Sequence, residues 1–232
     1  MSWERARSEK QKAERILAIQ EAAGTLFMRT EYHGIGMGQI AQRAGFTRPN
    51  LYRYYTTKEE IFLSILERDL ESWVETLESE CDQMTTAPKA RRRSIEEFTG
   101  WWVTRFVAQP RLPRLLPLMS FSLDDNAGEE LLRSFKLHLA EISERIAGIV
   151  KRRLRWYPDD QLADFPMLQL ALVTGVMPMA NRGDVHNKVL ADPRLSRFAV
   201  DFEEYYQKTL EQFLYGLSCL SGTREDGSYE QA

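Results

Sequence analysis

The sequence predicts an all-α protein in which a small N-terminal group of helices precedes a larger helical bundle. Apolar residues recur every three or four positions through almost all of the 232 residues, and strand-like alternation is nowhere sustained. Helix-breaking residues divide this pattern into segments. We place the first domain at 1–58, the bundle at 59–222 and a polar, disordered tail at 223–232.

Charge is unevenly distributed along the chain. Residues 1–58 carry ten Lys or Arg against five Glu, whereas the formal net charge of the whole chain is −3. A basic head on an acidic body indicates that only the head contacts nucleic acid. A helical surface that simply carries many charges explains the same numbers equally well.

Residue types that serve catalysis or metal binding form no recognisable site. Cys81 and Cys219 lie far apart, without His or Cys neighbours at ligand spacing, so we expect reduced thiols and neither a disulfide nor a metal. No paired carboxylates, Gly-rich phosphate loop or nucleophile–base arrangement supports an enzyme, and we expect no cofactor.

The sequence has no obvious membrane or secretion signal. The N-terminus is charged and has no apolar leader. The most apolar stretch, Phe165 to Ala180, is shorter than the ~20 residues that cross a bilayer. We interpret it as a buried helix and expect a cytoplasmic protein without membrane contact.

The first two helices are delimited by glycines. A helix over 8–29 carries an apolar stripe and is followed by a break at 33–36. A second helix over 37–44 ends at Gly45, because glycine readily adopts the positive φ of a helix C-terminal cap.

The third and fourth helices carry N-terminal signals. Thr47 offers an N-cap hydroxyl, and Pro49 falls in the first turn of a third helix over 48–54. The string Thr57 to Glu60 is a capping box that starts a long fourth helix reaching about Glu80. Further helices are predicted at 94–108, 112–121, 128–156, 159–180 and 193–217.

Residues 37–54 have the spacing of a helix-turn-helix. With Leu51 facing inward, the other faces of the third helix present a cation, an amide and an aromatic hydroxyl. Arg48 suits guanine, Asn50 suits adenine and Tyr52 suits a phosphate. The alternative is a solvated amphipathic helix, which leaves its exposed tyrosines and proline without a reason.

Lys58 supplies a separate argument. It lies in the first turn of the fourth helix, where the helix dipole disfavours a cation. A bound phosphate would remove that conflict, because the ammonium and the helix N–H groups would both face it. The alternative is a solvated lysine that tolerates roughly 0.3–1 kcal/mol.

The run IAQRAGFTRPNLYRYYTTKEEI at 40–61 resembles the DNA-binding domain of the TetR family of transcriptional regulators. Upstream, AAGTLF at 22–27 is similar to the first helix of that family. The resemblance covers about 15–66. It implies base-facing or groove-edge roles for Thr47, Arg48 and Asn50. It implies phosphate contacts by Tyr52, Tyr54 and Lys58.

The DNA-contacting set that we predict combines both arguments. Its members are Thr47, Arg48, Pro49, Asn50, Tyr52, Arg53, Tyr54 and Lys58. One position departs from the family pattern. The family usually has Thr or Ser capping the second helix, where the hydroxyl also meets a phosphate, and here that residue is Gly36.

The resemblance also implies that the C-terminal bundle forms a homodimer and binds a small-molecule effector. The helices at 159–180 and 193–217 could form an intermolecular four-helix bundle. Apolar residues available for it are Leu168, Leu172, Val176, Phe202, Tyr205, Leu210 and Phe213. For any one of them, a place in the internal core is an equally good interpretation.

A dense group of aromatic residues could line an effector cavity with one polar group. Its members are Phe98, Trp101, Trp102, Phe106, Met119, Phe135 and His138. Plain core packing is the more common role of aromatics at helical spacing.

These observations together predict a transcriptional regulator that binds double-stranded operator DNA. We expect a repressor that a small apolar or amphipathic effector releases from its operator. An activator is one alternative, and a helical adaptor whose head binds protein is another.

Overall fold

The computed structural model describes residues 2–83, 91–123, 127–180 and 183–225. Every regular element within these ranges is helical, which confirms the predicted fold class. The chain forms two compact units. The head unit comprises Met1–Asp69 and Leu118–Leu139, and the body unit comprises Leu70–Pro117 and Ala140–Ala232.

The head unit begins with four helices that share one core. Ile19, Ile40, Leu51 and Phe62 are all completely buried in it. Each such side chain contributes about 1.5–3 kcal/mol relative to an exposed one. The elements are α1 (Ser2–Phe27), a 3-10 turn (Tyr32–Gly34), α2 (Met37–Ala44), α3 (Arg48–Leu51) and the start of α4 (Lys58–Gln83).

The rest of the chain consists of long helices that alternate with short ones. In the body unit, α11 packs against α5 and α9. The elements are α5 (Arg91–Val107), α6 (Leu112–Leu118), a π-helical turn (Met119–Leu123), α7 (Glu129–Arg153), α8 (Asp159–Leu162), α9 (Phe165–Ala180), α10 (Asp184–Leu190), a 3-10 helix (Pro193–Phe198) and α11 (Phe202–Glu225).

The two units do not follow the predicted boundary at 58/59. That boundary falls at the first residue of α4, and α4 contributes residues to both units. The same is true of α7. At the predicted tail, Thr223 to Glu225 continue α11, and residues 226–232 lie outside the described residues.

The capping box predicted at the start of α4 forms, but one of its two hydrogen bonds is shifted by one residue. The backbone N–H of Glu60 donates to the Thr57 hydroxyl at 3.2 Å, as predicted. The Glu60 carboxylate accepts from the backbone N–H of Thr56 at 2.6 Å, one residue earlier than the usual pattern. Both groups cap otherwise unpaired amides, so α4 begins at Lys58.

Four predicted helices differ from the observed ones. The first begins at Ser2 and not at residue 8. The third helix is regular only to Leu51, after which the Tyr54 amide donates to the Leu51 carbonyl, three residues back, at 2.9 Å. The predicted helix at 159–180 is divided into α8 and α9. The predicted helix at 193–217 is wrong over its first turns, which are a separate 3-10 helix.

Asp201 explains where α11 begins. Its carboxylate accepts from the backbone N–H of Glu204 at 2.8 Å, which is an N-terminal cap. The sequence signal was available, because Asp201 and Glu204 have capping-box spacing. Helix α10 was not predicted at all.

Two expected absences can be compared with the described residues. No helix there is both long and apolar enough to span a bilayer. Cys81 is buried, Cys219 is exposed, and both are free thiols.

Candidate nucleic-acid interface

A Schellman turn joins α2 to α3. Gly45 has φ 75° and ψ 24°, the left-handed region that side chains with a Cβ avoid. The N–H of Phe46 donates to the Ala41 carbonyl at 2.8 Å, and the N–H of Gly45 donates to the Gln42 carbonyl at 3.3 Å. These bonds fix the angle at which the chain enters α3.

Helix α3 is one turn long and is anchored by a single apolar residue. Leu51 is fully buried, as predicted. Pro49 lies in the first turn, where its missing N–H costs nothing. Thr47 occupies the N-cap position with extended backbone, but its hydroxyl makes no capping bond, so that part of the prediction is wrong.

The remaining faces of α3 and the following turn are exposed. Exposed side chains are Thr47, Arg48, Pro49, Tyr52 and Arg53, whereas Asn50 and Tyr54 are half-buried. Arg48 donates from Nη2 to the Tyr52 hydroxyl at 3.1 Å, and its guanidinium lies 5.6 Å from the centre of that ring. This i, i+4 pair holds two predicted DNA-contacting side chains together before DNA binds.

Tyr54 contacts a residue that sequence reasoning missed. Arg15 of α1 donates from Nη1 to the Tyr54 hydroxyl at 3.0 Å. That bond raises the pKa of the Arg15 guanidinium and adds a cation from α1 to the face that carries Tyr54. The two residues are 39 positions apart, so no local pattern pairs them.

A buried polar cluster ties α1, the turn after α3, and α4 together. Gln20 donates to the Tyr55 hydroxyl at 3.1 Å and to Ser64 Oγ at 2.6 Å. Its carbonyl oxygen accepts from Arg68 at 2.8 Å. A buried amide with all these partners is a specific anchor, because each unpaired group would carry a desolvation cost. No pattern in the sequence indicates this cluster.

Lys58 is engaged within the protein. Its Nζ donates to the backbone carbonyls of Tyr32 and Ile35, each at 3.2 Å. It also lies 4.1 Å from the centre of the Tyr32 ring. Carbonyl oxygens of the connection between α1 and α2 therefore offset the unfavourable interaction of this cation with the dipole of α4.

Gly36 is the N-cap of α2, as the sequence indicates. Its backbone is extended, with φ −121° and ψ 158°. Its N–H donates to Gln39 Oε1 at 2.8 Å. This is one half of a capping box, and the other half is missing because glycine has no side chain.

The predicted effector residues are divided between the two units. In the body unit, Phe98, Trp102 and Phe106 are buried. Trp102 lies 5.0 Å from Trp73 and 5.2 Å from Phe165 between ring centres, which are contact distances. These rings pack as core, the alternative that the sequence left open.

The indole of Trp102 belongs to a buried polar triad. Its Nε1 donates to Gln169 Oε1 at 3.0 Å and to the Tyr206 hydroxyl at 3.1 Å, and Tyr206 also bonds Gln169. Trp101 is half-buried and donates from Nε1 to Glu80 at 2.8 Å. Sequence reasoning identified the aromatic residues and missed their polar partners.

Met119, Phe135 and His138 lie in the head unit. Met119 and Phe135 are buried, and His138 is half-buried. Phe135 lines a cleft of about 280 Å³. The same cleft is lined by Tyr54, Tyr55, Ser64 and Glu67, among others. A predicted effector residue and a predicted DNA-contacting residue therefore share one cleft.

Among the described residues, no three His, Cys, Asp or Glu side chains are grouped to hold a metal ion. The strongest polar constellations are hydrogen-bonded networks that join helices.

Comparison with known proteins gives matches over both units. Residues 19–65 match the family model described as bacterial regulatory proteins, tetR family. Residues 67–220 match the model described as tetracyclin repressor-like, C-terminal domain. The second match alone covers more than half of the chain.

Two curated relatives are transcriptional regulators. The transcriptional activator FasR of Mycolicibacterium smegmatis is 32% identical over 77 residues, which are 33% of this chain and 35% of FasR. The regulator RutR of Escherichia coli K12 is 30% identical over 134 residues, 58% of this chain and 61% of RutR. The chain thus matches less than two thirds of the length of either relative.

A solved structure shows the same fold. The regulator FadR of Bacillus subtilis, in complex with stearoyl-CoA, superposes with a TM-score of 0.50 and 16% identity. The superposition covers 86% of this chain and 98% of FadR. With both family models matched in order along one all-helical chain, the protein belongs to the TetR family of transcriptional regulators.

Proposed function

We propose that the protein regulates transcription by binding operator DNA in a sequence-specific way. The observation that carries this proposal is the exposed face of α3. Arg48 of this one-turn helix, and Tyr52 and Arg53 of the turn that follows it, are exposed, whereas Leu51 is buried. A short helix with this face fits a major groove, where cations and amides read base edges.

The proposed contacts divide into two classes. Thr47, Arg48 and Asn50 read bases or the groove edge. Tyr52, Arg53 and Tyr54 bind phosphates and set the position of α3 on the duplex. Pro49 presets the backbone of the first turn, and the Arg48–Tyr52 pair restricts both side chains before binding.

A selection of bound sequences from a random duplex library tests this function. The selected site should be a two-fold repeat, and its affinity should fall steeply as salt rises, because phosphate binding releases counterions. Asn50→Ala should relax preference at one base pair in each half-site. Arg155→Met removes an exposed cation of the body unit and should leave the affinity unchanged.

The adaptor alternative gives a different result in the same experiment. A head that binds protein enriches no sequence and shows no binding to duplex DNA even at low salt. Either finding would remove the DNA-reading proposal. The choice between repression and activation depends on where the operator lies relative to the promoter, and FasR is an activator by name. We propose repression, tested by transcription from the selected site with and without the protein.

The protein is proposed to act as a homodimer through α9 and α11. Helix α9 contains no charged residue, yet one of its faces is exposed. That face comprises Met167, Ala171, Gly175, Pro178 and Met179. An uncharged stripe also runs along α11, comprising the half-buried Thr209 and the exposed Tyr205, Gln212, Gly216 and Cys219.

Such stripes on two helices that pack together suit a four-helix interface between two copies. Of the other predicted interface residues, Leu210 is fully buried within the unit. Gly175→Glu places a carboxylate in the middle of the α9 stripe and should give a monomer of 27.0 kDa in light scattering. Ala140→Glu, on exposed α7 surface, is the matched control. A variant that remains dimeric would exclude α9 from the interface.

Control by a small apolar or amphipathic effector completes the proposal. The dimer would hold two recognition helices about 34–36 Å apart, and a ligand that prefers another arrangement would lower DNA affinity. The FadR structure of Bacillus subtilis, which holds stearoyl-CoA, supports an amphipathic ligand. Such a regulator works in the cytoplasm, where its operator is.

Stearoyl-CoA, the ligand in the FadR structure, is a suitable first probe. Binding should change tryptophan fluorescence and release labelled operator DNA at the same ligand concentration. A ligand that changes fluorescence without releasing DNA would contradict the switch.

A further inference from the structure

The first two residues of α4 hold Tyr32 from two sides. Lys58 lies above the Tyr32 ring at 4.1 Å and donates to the backbone carbonyls of Tyr32 and Ile35. Glu59 accepts a hydrogen bond from the Tyr32 hydroxyl at 2.8 Å. We call this arrangement the Tyr32 clamp.

Burial and ring packing, as well as hydrogen bonds, hold Tyr32 in the clamp. Tyr32 is only 4% exposed, and its ring meets Phe62 of α4 edge-on at 5.2 Å between centres. Burial and the bond to Glu59 raise the pKa of the Tyr32 phenol, so the hydroxyl keeps its proton as a donor. Ile35, the second carbonyl partner, is also buried.

The clamped segment leads directly into the helix-turn-helix. Tyr32 to Gly34 form a 3-10 turn, Ile35 follows, and Gly36 is the N-cap of α2. The Schellman turn at Gly45 then fixes α3 relative to α2. The segment from Tyr32 to Gly36 therefore links the start of α4, through hydrogen bonds, to α2 and to the proposed reading helix α3.

Most of the bonding capacity of Lys58 is used inside the clamp. An ammonium has three N–H donors, and two of them point to carbonyl oxygens at 3.2 Å. Moving Nζ to a phosphate would leave those two carbonyls without this partner and uncover the Tyr32 ring. Arg53, in contrast, is exposed.

We propose that Tyr32 is a positioning residue that sets α2 and α3 against α4, and that Lys58 supports DNA binding through this clamp, not as a phosphate ligand. The inference rests on the proposed DNA-reading function. It replaces the phosphate role that the family resemblance implies for Lys58. It also adds Tyr32 and Glu59, which no sequence argument selected, to the residues that govern DNA affinity.

Three variants distinguish a positioning role of Lys58 from a role as a phosphate ligand. Lys58→Met keeps an unbranched chain over the Tyr32 ring but removes the charge and both carbonyl bonds. Tyr32→Phe removes only the bond to Glu59 and keeps the ring, so it folds even if larger changes do not. Arg53→Met is the matched control, because it removes one exposed positive charge from the same unit without touching the clamp.

Amide hydrogen exchange without DNA is the first measurement. Lys58→Met should speed the exchange of the α2 amides about tenfold, and Tyr32→Phe should speed it less, because the clamp holds the start of α2 closed against local opening. Arg53→Met should leave these amides unchanged. Unchanged exchange in both Lys58→Met and Tyr32→Phe would overturn the clamp.

The salt dependence of DNA binding is the second measurement. Lys58→Met should weaken binding about tenfold with the slope of log affinity against log salt unchanged, whereas each lost phosphate contact makes that slope shallower by about 0.9. Arg53→Met should show the shallower slope. A slope that becomes shallower in Lys58→Met would overturn the positioning role.

A double-mutant cycle gives the third readout. If Lys58 acts through Tyr32, the loss of DNA affinity in the double variant should be smaller than the sum of the two single losses, whereas independent roles would be additive. Additivity would overturn the proposal. If the wild-type protein selects no DNA sequence at all, the proposed function fails, while the hydrogen-exchange result still decides whether the clamp positions α2.

Discussion

The substitution Gly36→Ser should add the hydroxyl that the TetR-family pattern has and this chain lacks. Gly36 has extended backbone that any residue adopts. A Cβ built there meets only Gln39 Oε1, at 3.8 Å, which is ordinary contact. The existing bond from the Gly36 N–H to Gln39 would then become one half of a complete Ser-x-x-Gln capping box.

The expected free-energy gain from the serine hydroxyl is smaller for folding than for DNA binding. Serine improves on a glycine cap by only a few tenths of a kcal/mol, and it exceeds alanine by ~1 kcal/mol. A hydroxyl that donates to a charged phosphate contributes about 1.5 kcal/mol or more. The latter corresponds to about a tenfold gain in affinity for each half-site.

Gly36→Ala is the matched control, because it adds the same Cβ without the oxygen. Fluorescence anisotropy with the selected operator should rank the affinities as Ser above Gly, and Gly at or above Ala. The salt slope of the serine variant should not change, since no charge is added. Equal affinities of the serine and alanine variants, with both proteins folded, would show that no phosphate lies within reach of this position.

Four further substitutions test the fold. Gly45→Ala forces a Cβ into left-handed backbone and should cost about 1–2 kcal/mol in denaturant unfolding, whereas Gly148→Ala, within α7 and with open space around its Cβ, should gain ~0.5–1 kcal/mol. Equal stabilities of these two variants would refute the turn argument. The hydrogen bond from Arg145 holds the pKa of Glu78 below its ordinary 4.5, so its contribution is complete above about pH 4.5 and is lost as pH falls through the lower folded-state pKa. Glu78→Gln should reduce the loss of unfolding free energy at acid pH by at most ~1 kcal/mol, because the Glu78–Arg145 pair is one-third exposed. An unchanged pH dependence of stability would contradict this expectation. Tyr206→Phe removes two bonds of the buried indole triad, those to Trp102 and Gln169, and should cost ~1–2 kcal/mol in urea unfolding; no loss would show that the hydroxyl is not needed.

Local features of the interface could be predicted because their partners are close in sequence. The cap at Gly45, the proline at position 49 and the Thr57–Glu60 box each involve residues within a few positions of one another. Their bond lengths and backbone angles are set by one turn of helix. The inward placement of Leu51 follows from the same periodicity, and the structure confirms it.

Local pattern failed where two signals competed. The helical period through 193–217 continued across a capping aspartate, Asp201, and so concealed a separate 3-10 helix. At Thr47 the residue type of an N-cap was present, but the hydroxyl makes no capping bond. A preferred residue type therefore located the helix start without fixing its hydrogen bonds.

By itself, the sequence determined the helical class, the helix-turn-helix spacing and the family to which the chain belongs. The tertiary structure alone decided what each functional side chain contacts. Arg15 reaches Tyr54 across 39 positions, and Lys58 reaches the carbonyl of Tyr32 across 26. Periodicity shows which face of a helix turns inward, but the distances between side chains on different helices depend on how the whole core packs. For that reason Lys58, whose position predicted a phosphate ligand, lies in a clamp on Tyr32.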